Sequence, residues 1–228
     1  MAEATTIAPA APSPLAGVLG ALVTTAIDAL LLAWALGGFG ALAADARALA
    51  LLAIWLAGAL VLALVRPVRG REGTKRSADP FLLVALLVLP LATAPLAAWG
   101  ARRGWLVLPG GDALTIAGLL LVGGGLALRI LAMRQLGSRF DPTVAILPDH
   151  ALETRGLYSR MRHPGYTGAW LAGLGAALTF GGGLGLVTVA LFAAALAARV
   201  KNEERALEQH FGDSFRAWRS HTGAFLPR

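Results

Sequence analysis

Apolar runs divide the chain almost from end to end. Leu15 to Leu42, Ala48 to Val65, Phe81 to Gly100 and Ala113 to Ala132 are each long enough to cross a bilayer as a helix rising about 1.5 Å per residue. A further stretch, Gly165 to Ala198, contains no charged side chain and is interrupted by Gly181, Gly182 and Gly183, a pattern that predicts a helical hairpin with a tight turn. Each arm, at about 16 residues, falls just short of ordinary spanning length, so the hairpin is expected to be thin, tilted or partly re-entrant. Beyond it, Val200, Leu207, Phe211, Phe215 and Trp218 recur at helical spacing and share one side of an amphipathic helix, which Gly212-Asp213 can interrupt. Such a helix lies in the interface or packs under the bundle. The predicted fold class is all-α, a polytopic membrane bundle of about six segments with a C-terminal hairpin and an amphipathic C-terminal helix.

Three regions follow. Residues 1–14, rich in Ala and Pro with Glu3 as the one charge, lack the basic flank of a signal peptide and are expected to form a disordered tail. Residues 15–132 hold four transmembrane spans. Residues 133–228 hold whatever chemistry the chain performs, because the long connection between Met133 and His163 has no spanning run and ends in ionisable and aromatic side chains.

Composition supports the membrane reading and adds an orientation. Of 228 residues, 57% are apolar and only 14% charged, with mean hydropathy +0.66, which excludes an ordinary soluble domain. The net charge of +7 would suggest nucleic acid in a soluble protein, but here it is better explained as a topology signal, and nucleic acid is not expected as a partner. Of the 20 Lys and Arg, all but Arg47, Arg102 and Arg103 fall on one side of the predicted spans, so both chain ends and the two long loops are expected to face the cytoplasm. Absence of Cys excludes disulfides, thiolate metal sites and a cysteine nucleophile.

Two clusters carry candidate chemistry: His150 through Tyr166, and Arg199 through Glu204. An antiparallel hairpin returns the chain to the face it left, so the two clusters must meet there. Arg199 and Glu203, at i and i+4, share one helical face. Taken alone this pair would be an interfacial ion pair worth about 0.3 to 0.5 kcal/mol, and Arg160, Arg162 and His163 an ordinary basic flank. It is the mixture of Tyr158, His163, Tyr166, Arg199 and Glu203 at one face that topology alone does not require. Elsewhere, Asp28 lies mid-span, either facing the interior with a polar partner or lining a substrate path, and the structural role is the expectation. Gly123, Gly124 and Gly125 are expected to pack helices closely; Met133 and Trp170 are expected to pack, and His210 and His221 have no ligand-like companions.

These residues carry a resemblance. Gly156-Leu157-Tyr158, Arg162-His163-Pro164-Gly165-Tyr166 with Gly168, Arg199 with Glu203-Glu204, Phe211-Gly212 and Pro227 resemble, in order and spacing, the isoprenylcysteine carboxyl methyltransferase family over residues 133–228. The resemblance implies an integral-membrane methyltransferase that uses S-adenosylmethionine (S-adenosyl-L-methionine), reached from the cytoplasm, and a lipophilic acceptor entering from the membrane lipids. It implies cofactor contacts at His150, Ala151, Leu152, Glu153, Tyr158, His163, Pro164, Gly165, Tyr166 and Glu203, with Arg199 binding the substrate and Arg199 and Glu203 the catalytic pair. No metal is required. The acceptor is expected to be a carboxylate, with an amine-bearing phospholipid as a variant. Two other readings stay open: an NADPH-dependent membrane sterol reductase, whose C-terminal pattern is similar, and a non-catalytic membrane scaffold.

Overall fold

A computed structural model describes residues 14–65, 74–75, 80–137, 145–146 and 152–228. Among these, eight α-helices follow in order: α1 Pro14–Leu36, α2 Phe39–Ala44, α3 Ala46–Val65, α4 Pro80–Arg102, α5 Gly111–Leu136, α6 Pro164–Phe180, α7 Gly183–Phe211 and α8 Asp213–His221. Helices α1, α3, α4, α5 and α7 are long and apolar enough to cross a membrane. The chain is an integral, multi-pass membrane protein. Helix α6, with 17 residues, is the short arm that the sequence pattern anticipates. Two short strands, Thr74–Lys75 and Ala145–Ile146, pair antiparallel and tie together the two long connections. Most of residues 1–14, with Arg66, Arg69, Arg71, Arg76 and Arg139 from the charge pattern, lies outside the described residues.

The first apolar run is not one helix. Gly37 and Gly38 take φ of 102° and 129°, left-handed backbone that breaks the helix after Leu36 and restarts it as α2. The hairpin forms as expected, turning at Gly181, φ 61°, and Gly182. Its second arm continues unbroken into the charged sequence as far as Phe211. The amphipathic pattern is therefore divided: Val200, Leu207 and Phe211 belong to α7, while Phe215 and Trp218 belong to α8 after the break at Gly212, φ 54°. Of the two placements open to this segment, α8 takes the one under the bundle. Phe215 and Trp218 are buried with Ala132 and Tyr158, and the Trp218 Nε1 donates to the Tyr158 carbonyl at 2.8 Å.

Helices α5 and α6 meet backbone to backbone. A Cβ built on Gly125 would lie 2.5 Å from the Gly168 oxygen, and one on Gly168 would lie 2.7 Å from the Arg129 nitrogen; Gly118 and Gly175 repeat the arrangement one heptad along each helix. The triple glycine is thus only partly a packing motif, since Gly123 and Gly124 have nothing within 4 Å of a built Cβ. Helices α4 and α7 are joined by a buried hydroxyl pair, the Thr188 Oγ1 lying 2.9 Å from the Thr93 Oγ1. The contacts with α5 fix how α6 lies and so fix its first turn, where the polar cluster lies.

Candidate active site

Local sequence explains how α6 begins. Pro164 sits at the first helical position, where its fixed φ suits the helix and its missing N–H is no loss. His163 is the N-cap residue, and its carbonyl receives the N–H groups of Tyr166 and Thr167, both at 3.1 Å. The C-terminal segment runs alongside as a strap: the Arg162 and His163 N–H groups donate to the carbonyls of Gly223 (2.8 Å) and Ala224 (3.0 Å), and the Thr167 hydroxyl donates to the Phe225 carbonyl at 2.7 Å. From α5, the Arg129 Nη1 reaches the Gly165 carbonyl at 3.1 Å.

The two ends of the hairpin touch. The Tyr166 hydroxyl donates to the Glu203 Oε2 at 2.9 Å, and the Arg199 Nε approaches the same hydroxyl at 3.4 Å, so the phenol sits between the cation and the carboxylate. On the next residue of α7, about 100° around the helix, Glu204 closes a second network. Its Oε1 receives the Arg162 Nε at 2.7 Å and lies 3.1 Å from the His163 Nε2, while Oε2 lies 3.9 Å from the Arg219 Nε. The Arg162 Nη1 also donates to the Thr222 carbonyl, which joins α8 and the strap to the network. Arg162, His163 and Arg199 are buried, and the Glu204 carboxylate against the Arg162 guanidinium offsets the desolvation of that cation.

Tyr158 stands at the edge of this cluster. Burial, reinforced by the charge of Glu203, pushes its phenol above the usual range, so it stays protonated at physiological pH and its hydroxyl donates to the Ala132 carbonyl at 3.3 Å. Glu153, with only 4% of its side chain exposed, pairs with Arg155 through Oε1 at 3.1 Å. The His163 ring stacks on Tyr166 with centroids 5.6 Å apart.

A cavity of about 650 Å³ joins these groups. It opens among the polar cluster and extends between α1, α3 and α4, where apolar side chains dominate its wall. Of the residues expected at a cofactor or substrate site, Leu152, Glu153, Tyr158, His163, Gly165, Tyr166, Arg199 and Glu203 line it. Pro164 does not; it is fully buried and serves the helix start. His150 and Ala151 lie outside the described residues. Sequence reasoning missed Glu204 and Arg162 as a buried pair, Arg129 as a brace, and the strap over Thr222 to Phe225. The available signal for Glu204 was its position beside Glu203 on a half-buried helix. Asp28 departs from expectation: it lies on the cavity wall, with no hydrogen-bonding or ionic partner among the described residues.

Residues 116–209, from α5 through most of α7, match the model of the isoprenylcysteine carboxyl methyltransferase (ICMT) family. The chain is 35% identical over 109 residues to a protein-S-isoprenylcysteine O-methyltransferase of Schizosaccharomyces pombe, a match covering 45% of each protein. It is 32% identical over 117 residues to the Xenopus laevis protein of the same name, covering 50% of this chain and 41% of that protein. The matched stretch thus spans less than half the length of either curated relative. A solved structure of the eukaryotic intramembrane Ras methyltransferase ICMT superposes with a TM-score of 0.52 over 87% of this chain and 72% of that chain, at 20% identity, a likeness of fold. The family model overlaps the resemblance read from the sequence over residues 133–209, which include Tyr166, Arg199 and Glu203.

Proposed function

We propose, from the premise of that family relationship, that the chain is an integral-membrane methyltransferase that takes its methyl group from S-adenosylmethionine and places it on the carboxylate of a lipophilic acceptor. One observation carries the reading: Tyr158, His163, Tyr166, Arg199 and Glu203 line a single cavity that continues into the apolar interior between α1, α3 and α4. Polar and lipophilic molecules can therefore meet in it.

The donor set suits such a cofactor, which offers two cationic centres, a carboxylate and a flat adenine ring. S-adenosylmethionine, when bound, supplies an electrophilic methyl carbon and retains the electron pair of the broken sulfur–carbon bond. Glu203 would hold the ammonium: Oε2 is occupied by Tyr166, and Oε1 makes no hydrogen bond among the described residues. Glu153, Tyr158 and the loop leading to His163 would enclose the rest of the cofactor. A carboxylate acceptor is already ionised at neutral pH, with a reference pKa of about 4, so the protein need supply no base. What it must supply is alignment. The planar fork of Arg199 can hold an acceptor carboxylate while the Tyr166 hydroxyl keeps the guanidinium and Glu203 in register. The excess of basic residues on this side of the spans supports a cavity mouth that faces the cytoplasm.

The test is a binding measurement on purified protein in lipid nanodiscs, comparing S-adenosylhomocysteine with NADPH, followed by mass spectrometry of membrane lipids incubated with S-adenosylmethionine. The expected result is binding of S-adenosylhomocysteine alone and a lipid that gains one methyl group as its ester. Binding of NADPH in preference would move the chain to the reductase reading, and binding of neither to the scaffold reading.

A further inference from the structure

The cavity runs deeper than the polar cluster requires, and its inner wall carries one polar patch. On α1, Thr24, Thr25 and Asp28 line the cavity, with Asp28 four residues from Thr24 and three from Thr25, hence on one helical face. Both hydroxyl protons are consumed within the helix: the Thr24 Oγ1 donates to the carbonyls of Gly20 and Ala21, each at 3.0 Å, and the Thr25 Oγ1 to that of Ala21 at 2.8 Å. What remains toward the cavity is acceptor capacity, the hydroxyl lone pairs and the Asp28 carboxylate. That carboxylate has no partner among the described residues. An ionisable side chain at mid-span is costly without a partner, and such residues generally mark a ligand path.

Depth can be read from helix register. Asp28 lies eight residues before the Leu36 end of α1, about 12 Å along the axis, whereas Arg199 lies sixteen residues beyond the Gly183 end of α7, about 24 Å. Those two helix ends are at similar levels, because Leu36 and Phe180, which adjoins the hairpin turn, line one cleft at the far face of the bundle. The patch is therefore roughly 10 Å deeper than the guanidinium.

We infer that Thr24, Thr25 and Asp28 form a specificity-determining subsite for an acceptor whose apolar body carries a hydrogen-bond donor, a hydroxyl or an ammonium, about 10 Å further into the span than the carboxylate held at Arg199. The inference rests on the methyl-transfer reading for the identity of that carboxylate. It distinguishes the acceptor from one with an unbroken hydrocarbon tail, for which a deep carboxylate would be a penalty.

The experiment uses the full chain in nanodiscs with three probes: stearate, stearate bearing a mid-chain hydroxyl, and stearate bearing a mid-chain amine. Affinity is read by competition and by thermal stabilisation, and ester formation from labelled S-adenosylmethionine is followed in parallel. The wild type is expected to bind the hydroxyl and amine probes about tenfold more tightly than stearate. Asp28→Leu should abolish both preferences, whereas Asp28→Asn, which retains an acceptor oxygen but no charge, should keep the hydroxyl preference and lose that for the amine. Equal affinity for all three probes in the wild type, failure of the substituted probes to bind, or an unchanged preference in folded Asp28→Leu overturns the subsite. Preferential binding without any ester leaves the subsite standing and removes the methyl-transfer reading; ester formation on all three without preference does the reverse.

Discussion

The helices that begin the chain and those that end it are apolar to similar degrees but are held in place differently. Only 11% of the α1 spanning window is buried within the protein, against 44% for α7. Helix α1 turns most of its surface to lipid and touches its neighbours through apolar side chains, so a bilayer supplies much of its environment. Helices α5 to α8 are joined by glycine-lined backbone contacts, buried arginines and a C-terminal strap. On the proposed reading, reacting groups need fixed geometry while a lipophilic molecule needs a way in, and a braced polar cluster beside a sparsely packed α1 would serve both. The sharpest way to break this comparison is to alter the rigid end. Arg199→Ala should lower turnover by about three orders of magnitude, equivalent to about 4 kcal/mol of barrier, while affinity for S-adenosylhomocysteine is retained. Glu203→Gln should instead weaken that affinity at modest cost to single-turnover rate. Parallel calorimetry and single-turnover assays check the division, and equal loss of cofactor affinity in both variants would refute it.

The second effect concerns stability. Glu204→Ala leaves the buried guanidinium of Arg162 with carbonyl partners but no counter-charge, and it removes the link that runs from α7 through Arg162 to α8 and the strap. Loss of about 3 kcal/mol is expected, read as a lowered unfolding midpoint in nanodiscs, with protease sensitivity increasing first near Thr222. An equivalent truncation in the lipid-facing part of α1, such as Leu30→Ala, exposes no charge and should cost much less, because Leu30 is more than half exposed to the surroundings of the helix.

The two regions also differ in how far sequence alone discloses them. The hairpin was legible because an uncharged run with adjacent glycines has few other solutions, and a hairpin necessarily returns His163 to the neighbourhood of Glu203. That Tyr166 would stand between Arg199 and Glu203 was not legible, since it depends on the rotation of α6 about its axis, which glycine contacts with α5 determine. Glu203 and Glu204 are separated by about 100° around α7, so only packing decides which of them faces the cavity and which faces Arg162. The strap has no hydrophobic period; its backbone hydrogen bonds to residues 160–163 leave no mark in composition. At the other end, the Gly37-Gly38 break was hidden inside an apolar run that reads as continuous. Asp28 was visible as an anomaly, but its direction was not, because a helix with lipid on most sides has too weak a polar face to orient it.

The smallest expected effect tests whether the close approach of α5 to α6, rather than glycine content, holds the rigid region together. Gly124 and Gly125 are neighbours in the same helix with the same intrinsic helix propensity. A methyl group at Gly124 meets nothing within 4 Å, whereas one at Gly125 would lie 2.5 Å and 2.6 Å from backbone atoms of Gly168 and Ala172, which no rotamer change can relieve. Gly125→Ala must therefore push α6 outward and is expected to cost about 1 to 3 kcal/mol. Gly124→Ala should instead be neutral or stabilising by up to about 1 kcal/mol, through the lower conformational entropy of the unfolded chain. The midpoints of thermal unfolding in one lipid composition measure both. Because α6 carries Tyr166, displacement of that helix should also weaken S-adenosylhomocysteine binding in Gly125→Ala and leave it untouched in Gly124→Ala. Two adjacent alanines with opposite signs would establish that the backbone contact, and through it the placement of the phenol between Arg199 and Glu203, is what these glycines provide; two alanines with equal effects would mean that α6 is positioned chiefly by the polar networks at its N-terminus.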